Sequence, residues 1–416
     1  MTDLDRPRLR VLEAFPVQQD GHRAVGLRDP AGFTDQVAML PMPLLDLVSL
    51  FDGEHSIGEM REIFLGRHGE APTAEQIRGI VEQMDAAGFL DSPRFAERRR
   101  RIEETFRLSP VRPPAHAGTA YAAEPRALQE QIHSFFAHAE GPGAPGPMIL
   151  GPDGAPAGAP PIRGLIAPHI DFHRGGPAYA WAYRELAGSE ADLFVILGTC
   201  HAGMEDPFAA TRKPYETPLG RAAADGDFLD DLGRRYGHDL LASEGAHRIE
   251  HSVEFQVVML QHLLGERRPF TIVPLLASFL HEAVWRGSDP EADPRVPRFL
   301  EALGETLGAS GRRVCLVAGV DLAHVGPRFG DPEINTHEFL SQVEAEDRAM
   351  LATVTAGAPG AFFGEVARDR DARRICGLSP IYAFLRALPG VQGRLLRYSQ
   401  WPDPEGAVTF CAAAFA

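Results

Sequence analysis

Apolar runs alternate with helical segments through the second half of the chain. From residue 162 onward, short apolar runs typical of buried strands are separated by segments with helical periodicity. The strand-like runs are RGLIAPHI, DLFVILGTCH, FTIVPLLAS, RRVCLVAGVDLAH and AVTFCAAAF. Such continuous apolar runs are typical of strands that are covered on both faces. The pattern therefore predicts an α/β fold with a mainly parallel sheet flanked by helices.

The first ninety residues show a different pattern, which predicts a small helical module. Amphipathic helices are expected over 36–52, 56–66 and 73–91. Ser56 with Glu59, and Thr73 with Gln76, have the spacing of capping boxes. In a capping box, the hydroxyl and the Glu or Gln side chain each satisfy a free amide at the start of a helix. Two helix starts are therefore well defined by the sequence.

Residues 1–95 resemble the PqqD-like winged-helix domains that recognise peptides in modified-peptide biosynthesis. The resemblance is carried by LFDGEHSIGEMREIF followed by IRGIVEQMDAAGFLDS. It implies that a peptide binds by adding a strand at a sheet edge; the alternative is a generic winged helix used for packing or oligomerisation. Residues 96–106 are predicted to be a charged helical connector. The stretch 137–161, rich in Gly, Pro and Ala, is expected to be an exposed flexible loop.

Charge and composition argue against several classes of protein. Lys and Arg number 41 against 57 Asp and Glu, a net charge of −16, which disfavours general binding to nucleic acid or to an anionic membrane. The chain has no apolar run of membrane-spanning length, and its first twenty residues lack the apolar stretch of a signal peptide. The four cysteines are scattered and are expected to be free thiols. We therefore expect a cytoplasmic protein.

Histidines close three of the predicted strands. His169 follows RGLIAP, His201 follows VILGTC, and His324 closes AGVDLA, with Asp321 in the same motif. The carboxyl ends of parallel strands open on a shared crevice where ligands bind. Imidazoles together with a carboxylate suit a divalent first-row metal. The sequence therefore predicts a metal site at this end of the sheet.

A helix beginning near Arg248 supplies further polar candidates. In RIEHSVEFQVVMLQHLL the apolar residues form one stripe, which leaves His251 and Glu254 together on another face. Such a pair could supply a general base to the site. The alternative is that the two residues form an ordinary pair on the protein surface. Neither an HExxH motif nor a cysteine cluster is present, which excludes the common zinc-protease and zinc-finger sites. The types and spacing of these residues do not determine whether the metal is iron or zinc.

Six motifs occur in order through residues 107–416. They are HAGTAY at 116–121, PHIDFHRGG at 168–176, LGTCHAG at 197–203, IEHSVEFQ at 249–256, VDLAH at 320–324 and ICGLSPI at 375–381. The resemblance to the Memo family implies a fold similar to class III extradiol dioxygenases with a metal pocket at the strand ends. It also implies a radical SAM enzyme and an AMMECR-type protein as partners.

The resemblance implies iron or copper held by two histidines and a cysteine. The histidines correspond to His169 and His201, and the cysteine is expected immediately before His324, where this chain has Ala323. With the soft thiol missing, iron is favoured over copper, and zinc remains an alternative.

Several residues are candidates to complete such a ligand set. Asp321 lies on the same side of its strand as the missing thiol, and the other candidates are His324, His251 and Asp171. Cys200 is expected to point to the opposite face of its strand.

Three functions follow from these motifs. The first is a non-haem iron oxidoreductase that works with a radical SAM partner on a peptide or small aromatic substrate, with His251 as general base and Glu254 and Asp171 as further catalytic candidates. The second is a non-catalytic peptide-binding scaffold with a vestigial pocket. The third is a zinc-dependent hydrolase in which Glu254 or His251 activates water.

Overall fold

A computed structural model describes residues 4–19, 22–143, 161–265, 267–332 and 336–416. The chain forms two compact units, Met1–Ser109 and Pro110–Ala416. Most of the predicted flexible loop 137–161 lies outside the described residues. None of the described helices is long and apolar enough to cross a membrane.

The first unit combines a small antiparallel sheet with four helices. The strands pair in the order β1, β2, β3 and are β1 Glu13–Gln19, β2 His22–Arg28 and β3 Val37–Pro41. The helices are α1 Met42–Val48, α2 Ile57–His68, α3 Ala74–Ala87 and α4 Pro93–Leu108. Both predicted capping boxes are present, at Ser56 with Glu59 and at Thr73 with Gln76. Apolar side chains from β2, β3 and the first three helices form one core, which includes Leu47, Met60 and Val81.

Two boundaries of this unit differ from the sequence prediction. The helix expected over 36–52 was partly wrong, because 37–41 is the edge strand β3 and only Met42–Val48 is helical. Residues 37–41 pair antiparallel with β2, so tertiary pairing overrides the local helical pattern. The predicted connector 96–106 is the greater part of α4, which belongs to the first unit.

The described residues of the second unit form a ten-stranded mixed sheet. Its strands are β4 Gly164–Ala167, β5 Leu193–Thr199, β6 Phe208–Ala210, β7 Tyr215–Thr217, β8 Gly220–Ala224, β9 Thr271–Ala277, β10 Val314–Gly319, β11 Asp321–Val325, β12 Gly393–Asp403 and β13 Gly406–Phe415. The main path runs β11, β13, β4, β10, β5, β9, β8, β7, with β12 on β13 and β6 on β9. Strands β4, β10, β5 and β9 are parallel, and the antiparallel pairs lie toward the edges. This is the predicted α/β architecture with a parallel centre.

Helices cover both faces of this sheet. They are α5 Pro125–Ala137, α6 Phe172–Leu186, α7 Gly226–Tyr236, α8 His251–Leu264, α9 Leu280–Arg286, α10 Arg295–Ala309, α11 His337–Thr355, α12 Pro359–Ala367 and α13 Leu378–Ala387. Alternate residues of each strand point to opposite faces. On β5, Val195 and Leu197 join one buried cluster, whereas Phe194 and Ile196 join the other. Burial on both faces explains why the central strands are continuously apolar.

The predicted strand RRVCLVAGVDLAH is two strands. Strand β10 pairs in parallel with β4 and β5, but β11 pairs antiparallel with β13. Val320 lies between them, so the chain changes partner within one apolar run. His324 therefore lies inside β11 and not at the end of a parallel strand.

Candidate metal centre

Four polar side chains meet at the carboxyl end of the parallel strands. His169 follows β4, His201 follows β5, and His251 is the first residue of α8. Cys376 comes from the segment before α13. The crevice predicted at this edge of the sheet is thus built from four separate parts of the chain.

The thiol of Cys376 bridges two histidines. Its Sγ lies 3.2 Å from Nε2 of His169 and 3.2 Å from Nε2 of His201. Nδ1 of His169 is 2.9 Å from the carbonyl oxygen of Gly319, and this acceptor requires a proton on Nδ1. The other ring nitrogen of His169, Nε2, is then directed toward the thiol. Two nitrogens and one sulfur therefore share a small space.

Glu250 fixes the second histidine. Its carboxylate oxygens lie 3.0 and 3.1 Å from Nδ1 of His201. They also accept hydrogen bonds from the backbone amides of His201 and Ser252, both at 2.9 Å. Burial opposes the charge on Glu250, but the facing imidazoles and these amides hold the pKa of its carboxyl well below the usual range. A carboxylate behind a ligating imidazole sets its tautomer and orientation, as in many metal sites.

His251 completes a cluster of three imidazoles. Its ring is stacked on His201 at a centroid distance of 4.5 Å and lies 5.1 Å from the ring of His169. One nitrogen from each of these three histidines lies within 4.8 Å of the others. Burial and the neighbouring His201 lower the pKa of His251 well below its ordinary value. His251 is therefore an uncharged imidazole at neutral pH.

The donor set fits a divalent metal ion. Burial raises the pKa of Cys376, but His169 and His201 outweigh burial and lower it to about 6. A thiolate and neutral imidazoles are the forms that ligate transition metals. Burial opposes a charge on His201, but Glu250 and Cys376 raise its pKa well above the ordinary value, so a metal ion would displace a proton from this ring. Because Gly319 and Glu250 occupy the Nδ1 atoms, the two Nε2 atoms are left for an ion beside Cys376. The site can hold a divalent metal, and its donors do not specify which one.

Asp321 lies beside this donor set as predicted, but its shortest contacts to this region are with backbone amides. Its Oδ1 accepts hydrogen bonds from the amides of His169 at 3.0 Å and Ile170 at 3.2 Å. Its Oδ2 is 3.7 Å from Nε2 of His169. Burial raises the pKa of Asp321 to about 6. Asp321 thus holds the turn that carries His169 and has one oxygen facing the donors.

Two other predicted residues stand apart from the cluster. Nδ1 of His324 lies 3.1 Å from the carbonyl oxygen of Leu322, and its ring packs edge-on against Phe329. Asp171 precedes α6 and forms an ion pair with Arg174 at 3.8 Å. Neither is among the three residues of the histidine cluster.

Glu254 is engaged by a buried ion pair and by hydrogen bonds within the fold. Its carboxylate is fully buried, pairs with Arg112 and accepts a hydrogen bond from the Tyr121 hydroxyl. It also accepts from the amides of Ala115 and His116, each at 3.1 Å. All the partners of Glu254 therefore come from the segment that contains the HAGTAY motif, and it ties that segment to α8.

The prediction that the site lacks a thiol was wrong. Ala323 is buried, and its amide donates to the Thr409 hydroxyl at 2.9 Å, whereas Cys376 supplies the sulfur. The sulfur comes from the ICGLSPI motif, which the sequence prediction did not connect with the ligands. The argument against copper, which rested on the missing thiol, no longer holds. Cys200 is buried, and burial raises the pKa of its thiol to about 12.

Comparison with known proteins supports the resemblance. Residues 112–409 match the family model for Memo-like proteins. The chain is 26% identical to a MEMO1 family protein of Aquifex aeolicus over 401 residues, which cover 96% of each chain. It is 31% identical to a MEMO1 family protein of Aeropyrum pernix over 302 residues, 71% of this chain and 95% of the other. Because the model spans nearly all of the second unit, the chain belongs to the Memo family.

Proposed function

We propose that this protein is a metal-dependent oxidoreductase whose centre holds iron, one of the two metals that the family resemblance implies. The observation that carries the proposal is the contact of Cys376 Sγ with Nε2 of both His169 and His201, each at 3.2 Å. A purely structural histidine cluster does not need both Nδ1 atoms held by acceptors while both Nε2 atoms face one thiol. The side chains of His201 and His251 are 34% and 27% exposed, so a substrate can reach these donors from solvent.

Each residue has a distinct role in this proposal. His169, His201 and Cys376 hold the ion, and Glu250 keeps His201 in the ligating tautomer. Iron bound there would supply redox chemistry and an electrophilic centre for a substrate oxygen. His251, uncharged and stacked on His201, would accept the proton of a substrate hydroxyl.

The substrate is proposed to be a peptide or a small aromatic molecule. A peptide is supported by the edge strand β3 in the first unit, where Val37 is 51% and Met39 40% exposed. An exposed edge pairs readily with an added strand. The match to the Aquifex relative covers 96% of the chain and so includes most of the first unit. A radical SAM enzyme and an AMMECR-type protein are proposed as partners on the family resemblance alone.

Elemental analysis after anaerobic purification tests the proposal. We expect near-stoichiometric iron in the native chain and its loss in Cys376→Ser and in the His169→Ala, His201→Ala double variant. His173→Ala is the matched control. His173 lies on the same stretch of chain as His169, is exposed, and is not one of the three clustered histidines.

Each other outcome points to a different function. Zinc that is lost in the same variants would support the hydrolase, since zinc accepts imidazole and thiolate ligands. Copper would change the proposed metal, because the thiol of Cys376 is the soft donor that copper favours. A folded chain that takes up no metal even on reconstitution would leave the peptide-binding scaffold.

A further inference from the structure

We propose that Asp347 is a positioning residue that fixes the thiol of Cys376 against the histidines. Asp347 lies on α11 and is fully buried, yet it touches none of the ligating atoms. The inference rests on the proposed function, because it assigns Cys376 as a ligand. It concerns how the fold holds that ligand in place.

The segment that carries Cys376 runs along the free edge of β11. The amide of Cys376 donates to Leu322 at 3.0 Å, and the amide of Gly377 donates to Asp321 at 2.9 Å. In return, the amide of His324 donates to the carbonyl oxygen of Arg373 at 2.8 Å. The position of the thiol therefore depends on how residues 373–377 lie against β11.

This segment does not adopt its conformation from local preference. Arg370, Asp371 and Arg374 have φ values of 59°, 57° and 54°. Residues other than glycine rarely occupy this left-handed region and do so when surrounding contacts require it. Three such residues within five positions need an external anchor, and the side chain of Arg373 provides one.

Asp347 is the anchor point for Arg373. One oxygen of Asp347 pairs with Nη1 of Arg373, whose side chain is 8% exposed. Nε of Arg373 also faces Glu346 at 3.3 Å. The buried carboxylate thus holds the guanidinium three residues before Cys376.

The second oxygen of Asp347 is linked to β11, against which residues 373–377 lie. It accepts hydrogen bonds from the hydroxyls of Tyr398 at 2.9 Å and Thr409 at 2.6 Å. Thr409 in turn accepts from the amide of Ala323, in the middle of β11. One carboxylate therefore links the Cys376 segment through Arg373 and β11 through Thr409.

The linkage also reaches the first histidine. Asp321, at the start of β11, accepts hydrogen bonds from the amides of His169 and Ile170. Movement of β11 relative to residues 373–377 would therefore change the distance between the thiol and His169. Asp347 restrains both partners of that distance.

Asp347→Asn tests this role, with two readouts. Cobalt(II) titration measures the dissociation constant and the near-ultraviolet absorption of a thiolate–cobalt bond, which Cys376→Ser assigns. Hydrogen exchange of the metal-free protein measures protection in the peptides covering 373–377 and 321–324. Leu303→Ala is the control, because Leu303 is fully buried on α10 and a cavity there lowers stability without touching the linkage.

We expect Asp347→Asn to weaken cobalt binding 10-fold to 100-fold, to diminish the thiolate absorption, and to raise exchange in both peptides above the control. The double variant Asp347→Asn, Arg373→Gln removes both charges and leaves no unpaired buried guanidinium. Because it also lacks the linkage, we expect it to stay less protected than Leu303→Ala in both peptides even if the single variant is poorly folded. Affinity and exchange equal to those of Leu303→Ala would overturn the proposal. Native protein that binds no cobalt would refute the proposed function, and the exchange comparison alone would then decide the role of Asp347.

Discussion

Replacing Glu254 by glutamine distinguishes a structural from a catalytic role for this residue. The side chains of Glu254 and Arg112 are both fully buried, and the carboxylate also accepts from Tyr121 and from the amides of Ala115 and His116. Glu254→Gln keeps the shape of the side chain but leaves the guanidinium of Arg112 buried without a carboxylate. Removing one partner of a buried ion pair costs about 3–5 kcal/mol in the free energy of unfolding.

This magnitude converts into a measurable change in melting temperature. The second unit spans Pro110–Ala416. A folded body of this size has an unfolding entropy of about 0.6 kcal/mol per kelvin near its midpoint. The expected loss in Tm for Glu254→Gln is therefore about 5–8 °C, measured by calorimetry or circular dichroism.

A surface pair on the same unit provides the control. Glu344 on α11 pairs with Arg348, with side chains 42% and 52% exposed. Glu344→Gln should change the free energy of unfolding by less than about 1 kcal/mol, because exposed ion pairs contribute little. A Tm for Glu254→Gln equal to that of Glu344→Gln would refute the structural role. Unchanged stability combined with lost activity would restore the catalytic role predicted from sequence.

Three further predictions concern other parts of the molecule. Burial lowers the pKa of His247 to about 4, so between about pH 6.5 and pH 4 the unfolded chain binds a proton that the folded chain does not. The free energy of unfolding should therefore fall by about 3 kcal/mol as the pH falls through this window. Urea titrations at about pH 6.5 and pH 4 should show that His247→Gln lacks this part of the pH dependence. Glu250→Gln should weaken cobalt(II) binding 10-fold to 100-fold in competition titrations, because Nδ1 of His201 loses its carboxylate; an unchanged constant would contradict the role of Glu250. Ser56→Ala removes the hydroxyl that caps α2 and should lower the free energy of unfolding by about 1 kcal/mol in urea denaturation. Ser134→Ala on α5 is the control and should not lower it, since the Ser134 hydroxyl donates to a carbonyl of its own helix.

The sequence predicted the architecture around the site because strand burial leaves a strong pattern. The central strands are apolar at every position, and His169 and His201 follow two of them directly. Parallel strands place their carboxyl ends at one edge, so the meeting of these two histidines could be predicted. Helical periodicity singled out His251 as a polar residue of this helix but did not place it beside the two histidines, and nearly all of α8 proved to be buried.

The sequence could not predict contacts that depend on strand pairing. Strand β3 was taken for helix because its antiparallel partner, β2, is not visible in local periodicity. The thiol was assigned to the motif of His324, whereas Cys376 reaches the site through a hydrogen bond to Leu322 of β11, which lies 54 residues earlier in the chain (376 − 322). Glu254 was taken for a base because its partner Arg112 lies 142 residues away in sequence.

The buried carboxylates around the site are better explained by position than by stability. Glu250, Glu254, Asp321 and Asp347 are all buried, and taking a carboxylate out of water is costly even when it is paired. Replacing a whole buried ion pair by apolar residues of similar volume is often neutral or stabilising. What apolar residues could not do is direct hydrogen bonds, and each of these carboxylates directs several onto a segment that holds a site residue or an adjoining motif. The stability of the second unit and the geometry of its metal centre are therefore separable. Variants of Glu250, Asp321 and Asp347 should affect metal affinity beyond what their loss of stability explains, whereas Glu254→Gln should act through stability.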